Sequence, residues 1–187
     1  MKTILIASWL LLSSLSLYAQ APTETTLPVD TETRKVTYTG VVAVQGAKQS
    51  ELYTRAKLWL AMTYDDPKDV VKVDEKDAGL LVLRAYTDIP IRFSPVATIP
   101  VQQEMSYTLM LNFKDGRYKY TITNYRLIAN GITGSLEQEI INQLGKPKNK
   151  GEYAAKQFTA AIEAFAKLVT ENLDATLQKP VTGDNEW

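Results

Sequence analysis

The chain has 187 residues, of which 21 are basic and 21 acidic, and it contains neither histidine nor cysteine. Without those two side chains it has no serine–histidine or cysteine–histidine nucleophile, no zinc site of imidazole and thiolate, and no disulfide. Its balanced charge offers no general attraction to nucleic acid, and its length predicts one domain.

Residues 1–19 are typical of a secretory signal peptide. A single basic residue, Lys2, precedes a mostly apolar run from Ile4 to Leu17, and the segment ends at Ala19. This layout predicts cleavage after Ala19 and export to the periplasm or the extracellular space, with an uncleaved N-terminal anchor as the other interpretation. No later stretch reaches the roughly 18 apolar residues of a membrane helix, so we expect no transmembrane segment in the mature chain.

The next segments predict a leader, a strand and a helix. Residues 20–33 are rich in Thr and Pro and predict a flexible leader, whereas residues 35–44 are rich in β-branched side chains and predict a strand. Residues 50–64 then show helical spacing, with Ser50 as the predicted N-cap. We expect one stripe of this helix to press against a sheet, and its members are Leu52, Ala56, Trp59, Leu60 and Thr63.

A first hairpin and a long loop follow. Residues 69–74 and 80–86 predict two short strands, with Gly79 in their connection. Residues 87–104 contain three prolines, which argue against a regular central strand and predict a long loop. The apolar side chains of this loop, which include Ile91 and Phe93, predict that it packs on its own domain or on a partner.

A second hairpin is predicted by the Asp-Gly turn at residues 115–116. This turn sets Lys114 opposite Arg117, and successive pairs then point to alternate faces of the sheet. We therefore expect most rings of the hairpin to face the core and its cations to face water. The predicted polar face carries Thr108, Asn112, Lys119, Thr121, Thr123 and Tyr125. A single-strand binder needs rings and cations on one exposed surface, so we expect no nucleic-acid binding.

The C-terminal part of the chain predicts a loop and two helices. Residues 129–135, ANGITGS, predict the loop, and residues 135–145 predict a short helix with a capping box of Ser135 and Gln138. Residues 152–178 carry a wide apolar stripe at helical spacing, which predicts a long helix that docks on the sheet.

No pattern of residues points to a catalytic or metal site. Residues 74–79 form the densest acidic cluster, yet Lys76 and Ala78 stand where a calcium loop needs oxygen ligands. We interpret this cluster as an ordinary charged turn. We expect no catalytic residue, no metal site and no cofactor.

Several residues taken together resemble a known family. They are the helical Tyr53, Ala56 and Trp59 of ELYTRAKLWL, Gly79 before the third strand, and the hairpin FKDGRYKYTI. Over residues 29–127 the chain resembles the domain of unknown function described as having a TATA-box-binding-protein-like (TBP-like) fold, found in exported bacterial proteins. The resemblance implies a curved antiparallel sheet with helices against one face. It implies no activity, and the name of the fold does not imply DNA binding.

The predicted fold class is α+β, with a single twisted antiparallel sheet of about five strands and helices packed on one face. In chain order we expect a signal peptide (1–19), a flexible leader (20–33), the TBP-like domain (34–127), a helical extension packing on that domain (128–179) and a loose tail (180–187).

The predicted function is that of an exported, non-catalytic binding or assembly module. Its unknown partner would be a protein or another component of the cell envelope, contacted through the polar sheet face and the loop at residues 89–101. The alternatives are a secreted hydrolase that uses carboxylates and a structural domain that oligomerises through the long C-terminal helix. The candidate partner-binding residues are Thr108, Asn112, Lys119, Thr121, Thr123, Tyr125, Ile91 and Phe93.

Overall fold

The centre of the sheet is the hairpin of β4 (Val101–Lys114) and β5 (Arg117–Ala129). In the computed structural model, residues 26–180 are described, apart from the side chains at positions 148 and 149. The predicted signal peptide and all but the first residue of the predicted tail lie outside this range. Among the described residues no helix is long and apolar enough to cross a membrane.

Six antiparallel strands form one sheet, one more than expected. The other four are β1 (Tyr38–Ala43), β2 (Val71–Glu75), β3 (Leu80–Ile91) and β6 (Ile132–Ser135). Their order is β1-β5-β4-β3-β2, and β6 pairs with β5 beyond the end of β1. The predicted loop after Leu127 was therefore wrong in part, because the chain turns at Asn130 and Gly131 and returns as β6.

Helices α1 (Gln49–Thr63) and α4 (Lys148–Leu177) cover one face of this sheet. Two side chains of α1 tie the helices together. The Trp59 indole N–H donates to Asn172 Oδ1 at 2.8 Å, and the buried Arg55 guanidinium donates to the carbonyl oxygen of Leu177 at the end of α4. A buried aromatic ring with its polar atom paired is a strong anchor, so Trp59 fixes the position of α4.

The N-terminus of α1 is capped from a distant part of the chain. The N–H of Gln49 donates to Asp115 Oδ1 in the hairpin turn at 2.8 Å. Lys48 occupies the N-cap position and makes no side-chain cap bond, so the prediction of Ser50 as the N-cap was wrong. A helix needs some acceptor for its first N–H groups, and here tertiary structure supplies it.

Two shorter helices complete the fold. The single turn α2 (Pro67–Val70) leads into β2, and α3 (Leu136–Leu144) lies between β6 and α4. The predicted cap of α3 is confirmed, because Ser135 Oγ accepts from the N–H of Gln138 at 3.1 Å. The long helix α4 begins at Lys148, four residues before the predicted start.

Much of the predicted long loop is strand. β3 continues to Ile91 and β4 starts at Val101, so only residues 92–100 connect them. The pairing of β2 with β3 ends at Leu83, which leaves the rest of β3 at an edge of the sheet. Pro90 lacks an N–H and is tolerated in such an edge position, where no neighbour needs that donor. Pro90 therefore marked an edge strand, whereas Pro95 and Pro100 lie in the shorter connection that remains.

Residues 26–33, within the predicted leader, run beside the start of β1. Val29 forms an isolated bridge with Val36, and the N–H of Thr37 donates to the carbonyl oxygen of Pro28 at 2.8 Å. Leu27 packs partly buried against the core. This part of the chain thus extends the edge of the sheet at β1.

Two glycines with positive φ allow a test of the packing between α1 and the sheet. Gly116 has φ +75°, and a Cβ added there would meet no atom within 4 Å, whereas at Gly79, with φ +62°, an added Cβ would lie 2.6 Å from the Phe113 carbonyl oxygen. We expect Gly116→Ala to cost about 1–2 kcal/mol of unfolding free energy from backbone conformation alone. Gly79→Ala should cost a further 1–3 kcal/mol or so from the clash. Urea unfolding measures both, and equal losses would contradict the close approach at Gly79.

Candidate functional site

The face of the sheet opposite α1 and α4 is covered by no helix among residues 26–180. Successive side chains of a strand point to opposite faces of the sheet, so the residues that alternate with the core residues lie on this face. We call it the outer face, and its main members are Thr39, Val41, Arg84, Tyr86, Thr108, Met110, Asn112, Lys114, Arg117, Lys119, Thr121 and Thr123. An uncovered sheet face of this size is the first place to look for a binding surface.

The register of the central hairpin confirms most of the predicted polar face. Lys114 pairs with Arg117, and the ladder continues in the predicted order to Thr108 and Thr123. Tyr118 is buried, and Tyr120 is half-buried with its ring packed over Gly40 of β1. The rings and the cations are therefore separated as expected. Five of the candidate residues lie on the outer face: Thr108, Asn112, Lys119, Thr121 and Thr123.

Threonine hydroxyls on this face hold β1 to β5. Thr39 Oγ1 lies 3.2 Å from Thr121 Oγ1, and Thr37 Oγ1 lies 3.0 Å from Thr123 Oγ1. The Thr123 hydroxyl can also donate to the carbonyl oxygen of Val36. Because these hydroxyls are used within the sheet, Thr121 and Thr123 align strands more than they offer free groups to a partner.

Near the hairpin turn the outer face forms a groove of about 420 Å³. Three cations line it, and no carboxylate is among its lining residues. None of the three forms an ion pair within the described part of the chain. We call this the cationic groove, and its residues are Val41, Asn112, Lys114, Arg117, Tyr118 and Lys119. Unpaired cations around a concave surface attract anionic groups.

Apolar side chains lie beside these cations. Val41 is 65% exposed and neighbours Lys119 across the β1–β5 pair, and Met110 is also exposed. Sequence reasoning did not select Val41 or Arg117 as candidate residues. The order of strands β1 and β5 was unknown from sequence, so nothing indicated that Val41 lies beside the hairpin cations.

The prediction that Tyr125 lies on the polar face was wrong. The ladder slips by one residue between Ser106 and Thr108, so that Ser106 pairs with Arg126. Asn124 adopts φ +56° at this bulge, and Lys35 Nζ donates to its side-chain oxygen. One extra residue in a strand reverses the direction of every later side chain. Tyr125 therefore points into the core, where it is 1% exposed.

Ile91 and Phe93, the two candidate residues of the predicted loop, both pack on this chain's own domain, one of the two outcomes expected for that segment. Ile91 belongs to β3 and is fully buried, so it cannot contact a partner. Phe93 is 38% exposed, and its ring makes an edge-to-face contact with Phe158 of α4 at 5.9 Å between centroids. The most exposed apolar residues of this region are Val96 and Ile99.

The ionisable groups behave as structural groups. Burial raises the pKa of Tyr118, whose hydroxyl donates to Asp174 Oδ1 at 3.1 Å, and it raises the pKa of Tyr38 to about 12. A bond from a backbone N–H lowers the pKa of the exposed Asp30 and Asp115, the opposite of what a general acid needs. Residues 26–180 contain no group of three or more acidic side chains placed to hold a metal.

Comparisons with known proteins agree with this architecture. Residues 38–127 match the family model described as "Domain of unknown function (DUF4468) with TBP-like fold". A crystal structure of a TBP-like protein from Parabacteroides distasonis is 15% identical, with TM-score 0.62 over 82% of this chain and 98% of that one. A DUF4468 family protein from Bacteroides ovatus is 16% identical, with TM-score 0.64 over 83% and 92%. No curated protein matches the chain. At such low identity the likeness of the structures shows the fold alone, and the predicted α+β, TBP-like fold is confirmed.

The bulge at Asn124 should be sensitive to side-chain shape. Asn124→Val places a β-branched residue at φ +56° and should lower the unfolding free energy by about 1–3 kcal/mol. Asn124→Gly accepts that backbone conformation and should lose less than half as much. Urea unfolding of both variants measures the difference. A valine variant as stable as the glycine variant would contradict the left-handed conformation that directs Tyr125 inward.

Proposed function

Since residues 38–127 belong to the DUF4468 family of domains with TBP-like fold, we propose that the chain is an exported, non-catalytic binding or assembly module. Neither the family description nor the two crystal-structure relatives assign it an activity. The proposal rests on the outer face, because this face is uncovered within residues 26–180 and carries the three cations of its groove beside exposed apolar side chains. Its partner is a protein or another component of the cell envelope that presents anionic groups.

The cationic groove is the observation that carries this proposal. Lys114, Arg117 and Lys119 converge there without a neighbouring carboxylate among the lining residues. The chain as a whole is neutral, so this local excess of positive charge is not a by-product of composition. Opposite charges steer a partner and set its register, while exposed Val41 and Met110 supply apolar contact.

The connection at residues 92–100 is a separate surface. It joins β3 to Val101, whereas the cationic groove lies at Lys114, the other end of a strand of 14 residues. These two ends are about 40 Å apart at the usual rise of a strand. A partner that contacts both would span the whole sheet. We therefore place the main contact at the groove and treat exposed Val96 and Ile99 as a second contact.

A carboxylate polymer tests the charge preference of the groove. We expect the purified protein to bind poly-L-glutamate, with an affinity that falls as salt rises because the contacts are exposed. Lys119→Glu replaces an attraction with a repulsion and should weaken binding about threefold to tenfold. Isothermal titration calorimetry at two salt concentrations measures both effects.

The matched control for that experiment is Lys156→Glu. Lys156 is exposed on α4, on the opposite side of the sheet, and its replacement makes the same change in net charge. This variant should bind poly-L-glutamate as the parent does. If the two variants lose the same affinity, net charge explains binding and the cationic groove does not. The Lys119→Glu variant then serves as the negative control for isolating a partner from the source cells.

The two alternative functions have weaker support in the structure. A carboxylate-dependent hydrolase would need two facing acids in a cleft, and the clearest outer-face groove holds cations instead. An oligomer formed through α4 would need a free apolar stripe on that helix. The stripe is largely buried against this chain's own core, through Phe158, Ile162, Leu173 and Leu177.

Export is supported by the pattern of residues 1–19, and it makes a direct prediction. Expression in a bacterial host with a general secretory pathway should yield a mature protein that begins at Gln20. N-terminal sequencing and the intact mass of the secreted fraction measure this. Replacing Leu11 and Leu12 with Glu should keep the chain uncleaved, because it breaks the apolar run. A mature chain that retains Met1 would count against cleavage.

A further inference from the structure

A second groove lies on the helix side of the sheet, between α1, α4 and the edge of β3. Its volume is about 440 Å³, within the range of small-ligand sites. Five aromatic residues line it: Trp59, Tyr64, Tyr86, Tyr107 and Phe165. We call it the aromatic groove. It is separate from the cationic groove, and a ligand bound in it would be independent of the function proposed for the outer face.

The lips of the aromatic groove are apolar and exposed. Met62 near the end of α1 is 73% exposed, and Leu168 of α4 is 66% exposed. Tyr86 of the edge strand β3 also lines the groove, although its side chain belongs to the outer face. None of the twelve residues that line the groove is charged. In a chain with 22% charged residues this neutral lining is a distinct chemical environment.

The groove offers hydrogen-bond donors from Tyr64, Tyr107 and Asn172. The hydroxyl groups of Tyr64 and Tyr107 lie 2.7 Å apart and share one hydrogen bond. Whichever of them donates, the hydrogen of the other has no acceptor among residues 26–180. Asn172 Oδ1 accepts from the Trp59 indole, and no bond within this range uses the side-chain N–H groups of Asn172. Tyr64 is half-buried and Asn172 is exposed, so these donors are accessible to a ligand bound in the groove.

We propose that the aromatic groove binds an uncharged ligand that combines an apolar ring with an oxygen acceptor. The ring packs against Tyr64 and Phe165, the half-buried rings of the lining, in the offset or edge geometry that aromatic pairs favour. The oxygen accepts hydrogen bonds from the Tyr64–Tyr107 pair and from Asn172. A charged ligand would lose its hydration there, and no lining side chain offers an opposite charge in return. Two sources share this chemistry: a small aromatic carbonyl compound and a neutral sugar ring.

Three small probes test the proposal on the purified protein. Acetanilide is neutral and joins a ring to a carbonyl, methyl β-glucoside stands for the sugar source, and phenylacetate is the charged comparison for acetanilide. We expect at least one neutral probe to bind with a Kd on the order of 1 mM, as suits about ten to fifteen heavy atoms. Phenylacetate should bind at least about tenfold more weakly than acetanilide. Saturation-transfer NMR detects binding, and the shift of the Trp59 indole N–H signal locates it in the groove.

Variants of the groove keep the test specific. Leu168→Lys puts a charge on the exposed lip and should abolish binding of the neutral probe. Ile141→Lys is the matched control, because Ile141 is 61% exposed on α3 and does not line the groove. Tyr64→Phe keeps the ring and removes a hydroxyl, so it should weaken binding about threefold to tenfold. Circular dichroism melting confirms that each variant is folded, which is expected for the two exposed positions.

Each outcome decides for or against the proposal. Binding of acetanilide alone assigns the groove to aromatic carbonyl compounds, and binding of the glucoside alone assigns it to sugars. The proposal is overturned if neither neutral probe binds at millimolar concentration, or if phenylacetate binds as well as acetanilide. It is also overturned if Leu168→Lys, once shown to be folded, binds a neutral probe as tightly as Ile141→Lys does.

Discussion

The turn at Asp115 and Gly116 organises both the sheet and the helix layer. Gly116 takes φ +75° and sets the register of β4 and β5. In this register most aromatic side chains of the hairpin point to the core and its cationic side chains point to water. The carbonyl oxygen of Gly116 accepts a hydrogen bond from the N–H of Val44, and the N–H of Gly116 donates to the carbonyl oxygen of Ala47. Asp115 then caps α1 through Gln49. One tight turn therefore places β1 and starts the helix that covers the core face.

That arrangement creates two surfaces with different chemistry. Because both long helices lie on one face, the opposite face keeps its polar side chains in water, and its cations gather at the hairpin end. The uncharged aromatic groove lies on the helix side, where α1 and α4 meet the edge of β3. Trp59 and Asn172 both line the aromatic groove, so the hydrogen bond that holds α1 to α4 also shapes this groove. The fold thus offers an electrostatic surface and an aromatic one, on opposite sides of the sheet.

The bulge at Asn124 limits how far local patterns can be extended. The alternation of side chains along a strand predicted the correct face for every residue from Thr108 to Lys114 and from Arg117 to Thr123. One left-handed residue then reversed the alternation and moved Tyr125 from the predicted binding face into the core. Asparagine tolerates that conformation, but its presence in a strand does not by itself mark a bulge. The Asn130-Gly131 turn did carry a recognisable hairpin signal, and the short β6 after it was nevertheless predicted as loop.

Sequence alone determined the α+β class, the central hairpin and its register, and the helices around Trp59 and over most of 152–178. These features depend on local periodicity and turn chemistry, which a single segment carries by itself. Tertiary structure decided the rest: the neighbour of each strand, the distant cap of α1, the inward turn of Tyr125, and the burial of Ile91 in an edge strand that contains proline. Both grooves belong to this second group. Each is built from side chains of segments far apart in the chain, and only the packing of those segments brings their charges and rings together.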